Sequence, residues 1–95
     1  GVVTIFYSPK TDSALVTVAN LPPLPEGRDY QLWLIEGSNP LPSVIIKVDE
    51  KGNGRAVVPS DKMFVNFQAF GVTVEKLGGS PTPNPEGPIY LGKAS

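Results

Sequence analysis

Leu21-Pro22-Pro23-Leu24-Pro25-Glu26-Gly27-Arg28-Asp29-Tyr30-Gln31-Leu32-Trp33-Leu34-Ile35 has a proline-stiffened half and an apolar half, and the apolar half decides the fold. From Tyr30 to Ile35 both alternating faces are largely apolar. Tyr30, Leu32 and Leu34 share one face, Trp33 and Ile35 the other, and Gln31 is the single polar side chain inside the run. A strand of that pattern cannot leave a face in water, so it reads as central and covered on both sides. The first half behaves differently. Pro22, Pro23 and Pro25 supply no backbone N–H, so this segment cannot sit inside a ladder; it reads as a crossing between sheets that turns at Glu26-Gly27.

Outward from this stretch the chain is a series of short strands. Val2–Tyr7 is β-branched and aromatic throughout, and Ser13–Asn20 alternates behind the polar turn Ser8–Asp12, so the two predict a hairpin. Glu36–Pro42 reads as a breaker cluster. Ser43–Val48 and Arg55–Val58 flank the turn Asp49–Gly54 and predict a second hairpin, with Val44, Ile46 and Val48 inward and Lys47 outward. Pro59–Lys62 suggests one helical turn with Ser60 as its cap. Phe67–Lys76 reads as the longest strand, where Gly71 suggests a bulge or the close approach of another backbone. A Gly/Pro loop over Gly78–Pro88 precedes a last short strand, Ile89–Leu91. These elements predict an all-β fold: a single antiparallel β-sandwich of about seven short strands, loosely immunoglobulin-like, with a small closed barrel as the alternative.

Composition agrees with that class. The 95 residues fit one domain, and a hydrophobic share of 40% is enough for a core. Only 18% are charged, against 11 prolines and 10 glycines, the profile of strands joined by tight turns. With 8 basic and 9 acidic residues the net charge is -1, which gives no field to attract nucleic acid or an anionic membrane. The chain has no cysteine and no histidine, hence no disulfide, no thiol nucleophile, no thiolate or imidazole metal site and no imidazole base. No apolar run approaches the ~20 residues of a membrane-spanning helix. Starting mid-strand at Gly1-Val2-Val3 without an initiator Met, the sequence reads as a fragment of something longer.

Three segments together resemble the C-terminal domain of the anti-sigma-K factor family. They are the stretch from Leu21 to Ile35, in the order Leu-Pro-x-x-Pro-x-Gly-x-x-Tyr-Gln-Leu-Trp-Leu; the turn Asp49–Gly54 followed by Arg55-Ala56; and Val72–Pro81, ending Gly78-Gly79-Ser80-Pro81, followed by Gly87-Pro88-Ile89. The matching positions are Leu21, Pro22, Pro25, Gly27, Tyr30, Gln31, Leu32 and Trp33, then Gly78, Gly79, Ser80 and Pro81. The resemblance implies a role without chemistry. In such proteins a cytoplasmic domain binds and silences a sigma factor, one transmembrane helix follows, and this β-domain lies on the extracytoplasmic side of a bacterial membrane. Proteolysis outside and then within the membrane releases the sigma factor. The implied touch with the membrane is through a helix outside this fragment, and sigma binding belongs to a domain that is absent here. A protease or signal protein remains as partner. No catalytic, cofactor or metal residue carries over, because the motif is a folding motif.

The remaining candidates have bland readings. Trp33 could stack on a ligand, but in a central strand it reads as an anchor whose buried indole N–H needs an acceptor, with Tyr30 in the same part. Asp49–Gly54 has a passing likeness to a calcium loop, yet Lys51 stands where an oxygen ligand belongs and Ser60 replaces the bidentate glutamate. Pro81–Pro88 could be a polyproline ligand but reads as a stiff loop. Ser8/Lys10, Ser60/Lys62, Asp49/Glu50 and Asp61 all lie in turns open to water, where no pKa is tuned for catalysis, so no enzyme activity is expected. A stand-alone secreted or surface β-sandwich binding module, taking protein or carbohydrate on an exposed Trp33 or Tyr90, is the alternative reading.

Overall fold

A computed structural model of the chain describes residues 1–63 and 67–93. Seven strands run in order: β1 Val2–Ser8, β2 Ser13–Ala19, β3 Arg28–Glu36, β4 Asn39–Ile46, β5 Gly54–Val58, β6 Ala69–Lys76 and β7 Tyr90–Lys93. They form two sheets, β1-β2-β5 facing β4-β3-β6-β7, and every pairing is antiparallel. The fold is the expected all-β sandwich. Between the sheets lie Val3, Val16 and Val18 from one side and Tyr30, Leu32, Leu34, Ile46 and Val72 from the other, all buried. The proline-rich segment from Leu21 carries the chain from β2 in one sheet to β3 in the other, as its missing donors require.

Several expectations are corrected. The segments on either side of Asp49–Gly54 are not a hairpin: β4 pairs with β3 and β5 with β2, so the turn carries the chain across the sandwich and one bridge, Val48–Gly54, is all that joins its ends. The turn itself is well made, because Asp49 Oδ1 accepts the N–H groups of Lys51 and Asn53 at 2.9 and 3.0 Å. It also locks onto the other crossing. Leu21 N–H donates to the Gly52 carbonyl at 3.1 Å, and a Cβ at Gly52 would stand 2.1 Å from Leu21 O, so only glycine fits there.

Glu36–Pro42 does not break the structure either. Glu36 pairs with Asn39 across a two-residue loop, and Pro40 and Pro42 lie within β4, an edge strand whose outer rim needs no donors. The irregularity expected at Gly71 falls elsewhere: β4 carries one extra residue opposite Leu32, while Gly71 stays in register with Trp33 and has only ordinary contacts around its Cα. The longest strand is β3, with 9 residues; β6 begins at Ala69, after Phe67, and the last strand begins at Tyr90. A 3-10 turn spans Ser60–Lys62 with Pro59, not Ser60, at its N-cap and no side-chain cap.

Replacing Leu32, at the centre of the core, is expected to cost about 2–5 kcal/mol as Leu32→Ala. Val57→Ala, on the open face of β5, should stay within about 0.5 kcal/mol of the parent. Chemical denaturation of both variants checks the assignment of inner and outer faces.

Candidate functional site

Trp33 is 1% exposed, yet it does not belong to the core between the sheets. It points to the outer face of the four-stranded sheet, together with Asp29 and Gln31 of β3 and their register partners Glu75, Thr73 and Gly71 of β6. Asp29, Gln31, Thr73 and Glu75 are all buried there. The cover is the segment 77–89 between β6 and β7, which passes over this face as a strap.

Each buried polar side chain meets the strap or a neighbour. Gln31 grips Ser80 twice: its Nε2 donates to the Ser80 carbonyl at 3.0 Å, and its Oε1 accepts the Ser80 N–H at 2.8 Å. Asp29 Oδ2 accepts the N–H of Gly78 at 3.1 Å, and Oδ1 accepts from Lys47 Nζ at 2.7 Å. The Trp33 indole donates to Thr73 Oγ1 at 2.8 Å, and Thr73 in turn donates to Glu75 Oε2 at 2.6 Å. That same carboxylate oxygen accepts the Asn84 N–H at 2.8 Å, while the Asn84 amide donates to the Val74 carbonyl at 3.1 Å. No buried side-chain nitrogen or oxygen among the described residues is left without a partner.

The motif residues divide between the core and this strap. Leu21 is in the core. The Tyr30 hydroxyl, on the inner face, donates to the Pro22 carbonyl and so draws the crossing onto the sheet. Burial raises the Tyr30 pKa and keeps the phenol a donor. The Gly27 carbonyl accepts from Leu77 N at 3.2 Å, tying the crossing to the start of the strap. Gly79 has φ +94°, and a Cβ there would stand 2.8 Å from Gln31 Oε1, so its lack of a side chain lets the strap lie on the glutamine. Pro25 and Pro81 are exposed and stiffen the two segments. Gln31 is the polar residue that the apolar run itself displays; the parts played by Asp29, Thr73, Glu75 and Asn84 are not legible in the sequence, apart from the hydroxyl of Thr73 and the carboxylate of Glu75 alternating along β6.

Burial works against the charged form of Asp29. The hydrogen bonds from Lys47 and Gly78, with the Lys47 charge, outweigh it and hold the carboxyl below its usual value of 3.8. Between the strap and the Trp33 ring lies an apolar cleft of about 290 Å³, lined by Ile35, Pro40, Pro83, Pro88 and Leu91. Trp33 forms its floor and is not presented to solvent. The Asp49 turn has its carboxylate engaged by its own backbone, and no group of three or more metal-ligating side chains occurs among the described residues. The arrangement binds the chain to itself: its hydrogen-bonding capacity is directed at the backbone of the strap.

Residues 1–89 match the family model described as anti-sigma-K factor rskA, C-terminal. Comparison with curated proteins and with solved structures gave no match.

Gln31→Ala leaves the Ser80 N–H and carbonyl without partners and should weaken strap docking by about 1–3 kcal/mol. Faster amide exchange over 77–89, with β2 unchanged, is the expected readout. A carboxyl depressed by folding contributes stability that is present above its unfolded pKa of about 3.9 and is lost as pH falls through the folded value. Asp29→Asn should therefore flatten the decline of stability in acid below about pH 4, as followed by denaturant titration at each pH.

Proposed function

Because the chain belongs to the anti-sigma-K factor C-terminal family, we propose that it is the extracytoplasmic regulatory domain of a membrane-anchored anti-sigma factor, controlling sigma-factor release through regulated proteolysis. In this reading the domain is non-catalytic. It acts by being folded: a packed sandwich withholds backbone from a protease, and a signal acts by exposing it. Sigma-factor binding belongs to a separate domain, and the protein that reads this one is a protease or a signal protein on the outer side of the membrane.

The observation that carries the proposal is what the family motif does in the fold. Tyr30, Gln31, Gly27 and Gly78–Ser80 are engaged with the chain's own backbone across two segments far apart in sequence. A motif of that kind secures a folded state, which is the property that a proteolytic checkpoint needs. The alternative of a binding module that takes its ligand on Trp33 or Tyr90 requires one of those rings to be accessible, whereas Trp33 is 1% exposed and Tyr90 is half-buried against the core.

Limited digestion with thermolysin, mapped by mass spectrometry, tests the proposal. The first cuts are expected within 77–89, and Gln31→Ala should multiply their rate several-fold while β2 and β3 remain intact. In cells carrying the membrane-anchored protein, the same substitution should raise transcription from a sigma-dependent reporter. Early cutting inside Asp29–Ile35, or a reporter indifferent to strap variants that digest faster, would overturn it.

A further inference from the structure

The sandwich is closed on one side and open on the other. On the closed side the segment 47–53 joins β4 to β5 and the Val48–Gly54 bridge draws the sheets together. On the open side the two rims are β1 and β7, with a groove of about 320 Å³ between them. Val3, Ile5 and Tyr7 of β1 line it together with Phe70 and Tyr90 from the opposite sheet and Phe67 from the segment that leads into β6. Among the described residues four strands face three, so β7 and its aromatic neighbours lie beneath a place where the smaller sheet has no described strand. The rings of Phe70 and Tyr90 stack there with centroids 5.9 Å apart, and Tyr7 is 49% exposed.

The four sheet edges are not alike. β4 carries Pro40 and Pro42, β5 is 5 residues long with Arg55 within it, and β7, described over Tyr90–Lys93, carries the charge of Lys93. Each bears a feature that discourages pairing with another strand. β1 bears none. Its 7 residues, Val-Val-Thr-Ile-Phe-Tyr-Ser, include no charge, no proline and no glycine, and its register with β2 is unbroken from Val2 to Ser8.

We propose that this groove receives an extended segment of a partner protein, which pairs through its backbone with the rim of β1 that no described strand occupies. Apolar side chains at every second position of that segment descend onto Phe67, Phe70 and Tyr90 and complete the smaller sheet as its fourth strand. Charge narrows the partner further. Among the described residues the lining includes one cation, Lys93, and no carboxylate, so the segment is uncharged along β1 and carries an acidic residue at the Lys93 end. A second copy of this chain is a poor occupant. Two copies joined β1 to β1 would set six strands over eight, and their β7 strands would meet beneath the junction. This inference stands on the open groove and does not depend on the regulatory role.

The test is to titrate the isotope-labelled 95-residue chain with a peptide the length of β1 that alternates valine with threonine and ends in glutamate. Amide shifts are expected in β1, Phe67 and β7, with slowed exchange of β1 amides. Binding should weaken roughly two- to fivefold when the peptide ends in lysine or when Lys93→Glu is introduced, and a proline at the peptide's centre should abolish it. Absence of shifts at about 1 mM peptide, or shifts confined to the strap, would overturn the proposal. So would a peptide-independent shift of β1 that grows with protein concentration, which would assign the groove to self-association. Binding that ignores both charge reversals would overturn the choice of an acidic partner.

Discussion

A strand buried on both faces must find partners for every polar side chain it carries. In β3 one such side chain is Gln31, whose amide finds both its donor and its acceptor in the backbone of Ser80. The exchange is reciprocal. Without the strap, Gln31 and Trp33 would face water; without Gln31, the strap would lie over that face with the N–H and carbonyl of Ser80 unpaired. The two-layer sandwich thus has a third, partial layer on one side, fastened by side-chain-to-backbone hydrogen bonds where the other two layers meet through packing.

The same logic explains how Asp29 and Glu75 can stand opposite each other in the β3–β6 register. Like charges directly across a sheet repel. Here each carboxylate is turned to its own donors: Asp29 to Lys47 and the Gly78 N–H, Glu75 to the Thr73 hydroxyl and the Asn84 N–H. Two of those four donors are strap amides. The acidic pair is tolerable because the strap is docked, and the strap docks partly because the acids are there.

The sandwich was legible in the sequence because its evidence was local. An apolar run with two covered faces and a proline-bearing crossing need only a few consecutive residues to recognise. The pairing of β5 was not legible. The Asp49–Gly54 turn has sound chemistry, but a turn records that the chain reverses and is silent on which sheet each flank joins. Pro40 and Pro42 have the composition of a breaker, and only their place on an edge strand, which the local sequence does not reveal, exempts them from interrupting a ladder. In the candidate site, Gln31 and Gly78–Pro81 each stand out locally, but the bond between Gln31 and Ser80 spans 49 positions. No periodicity reports a contact at that distance, and Glu75 on an alternating strand looks like an ordinary solvent-facing residue.

The strand order carries a consequence for the sequence of events as the chain folds. Only β1–β2 and β3–β4 are joined by short turns; β5 must reach back to β2 and β6 to β3 before either sheet is whole. Contacts this distant place a small β-domain among the slower folders, on a scale of about milliseconds to seconds. The anchors of the strap lie on β3 and β6 together, so they do not exist as a constellation until that long-range pairing has formed. Strap docking is therefore a late event in assembly, and its fastening reports that the two distant halves of the larger sheet have already met.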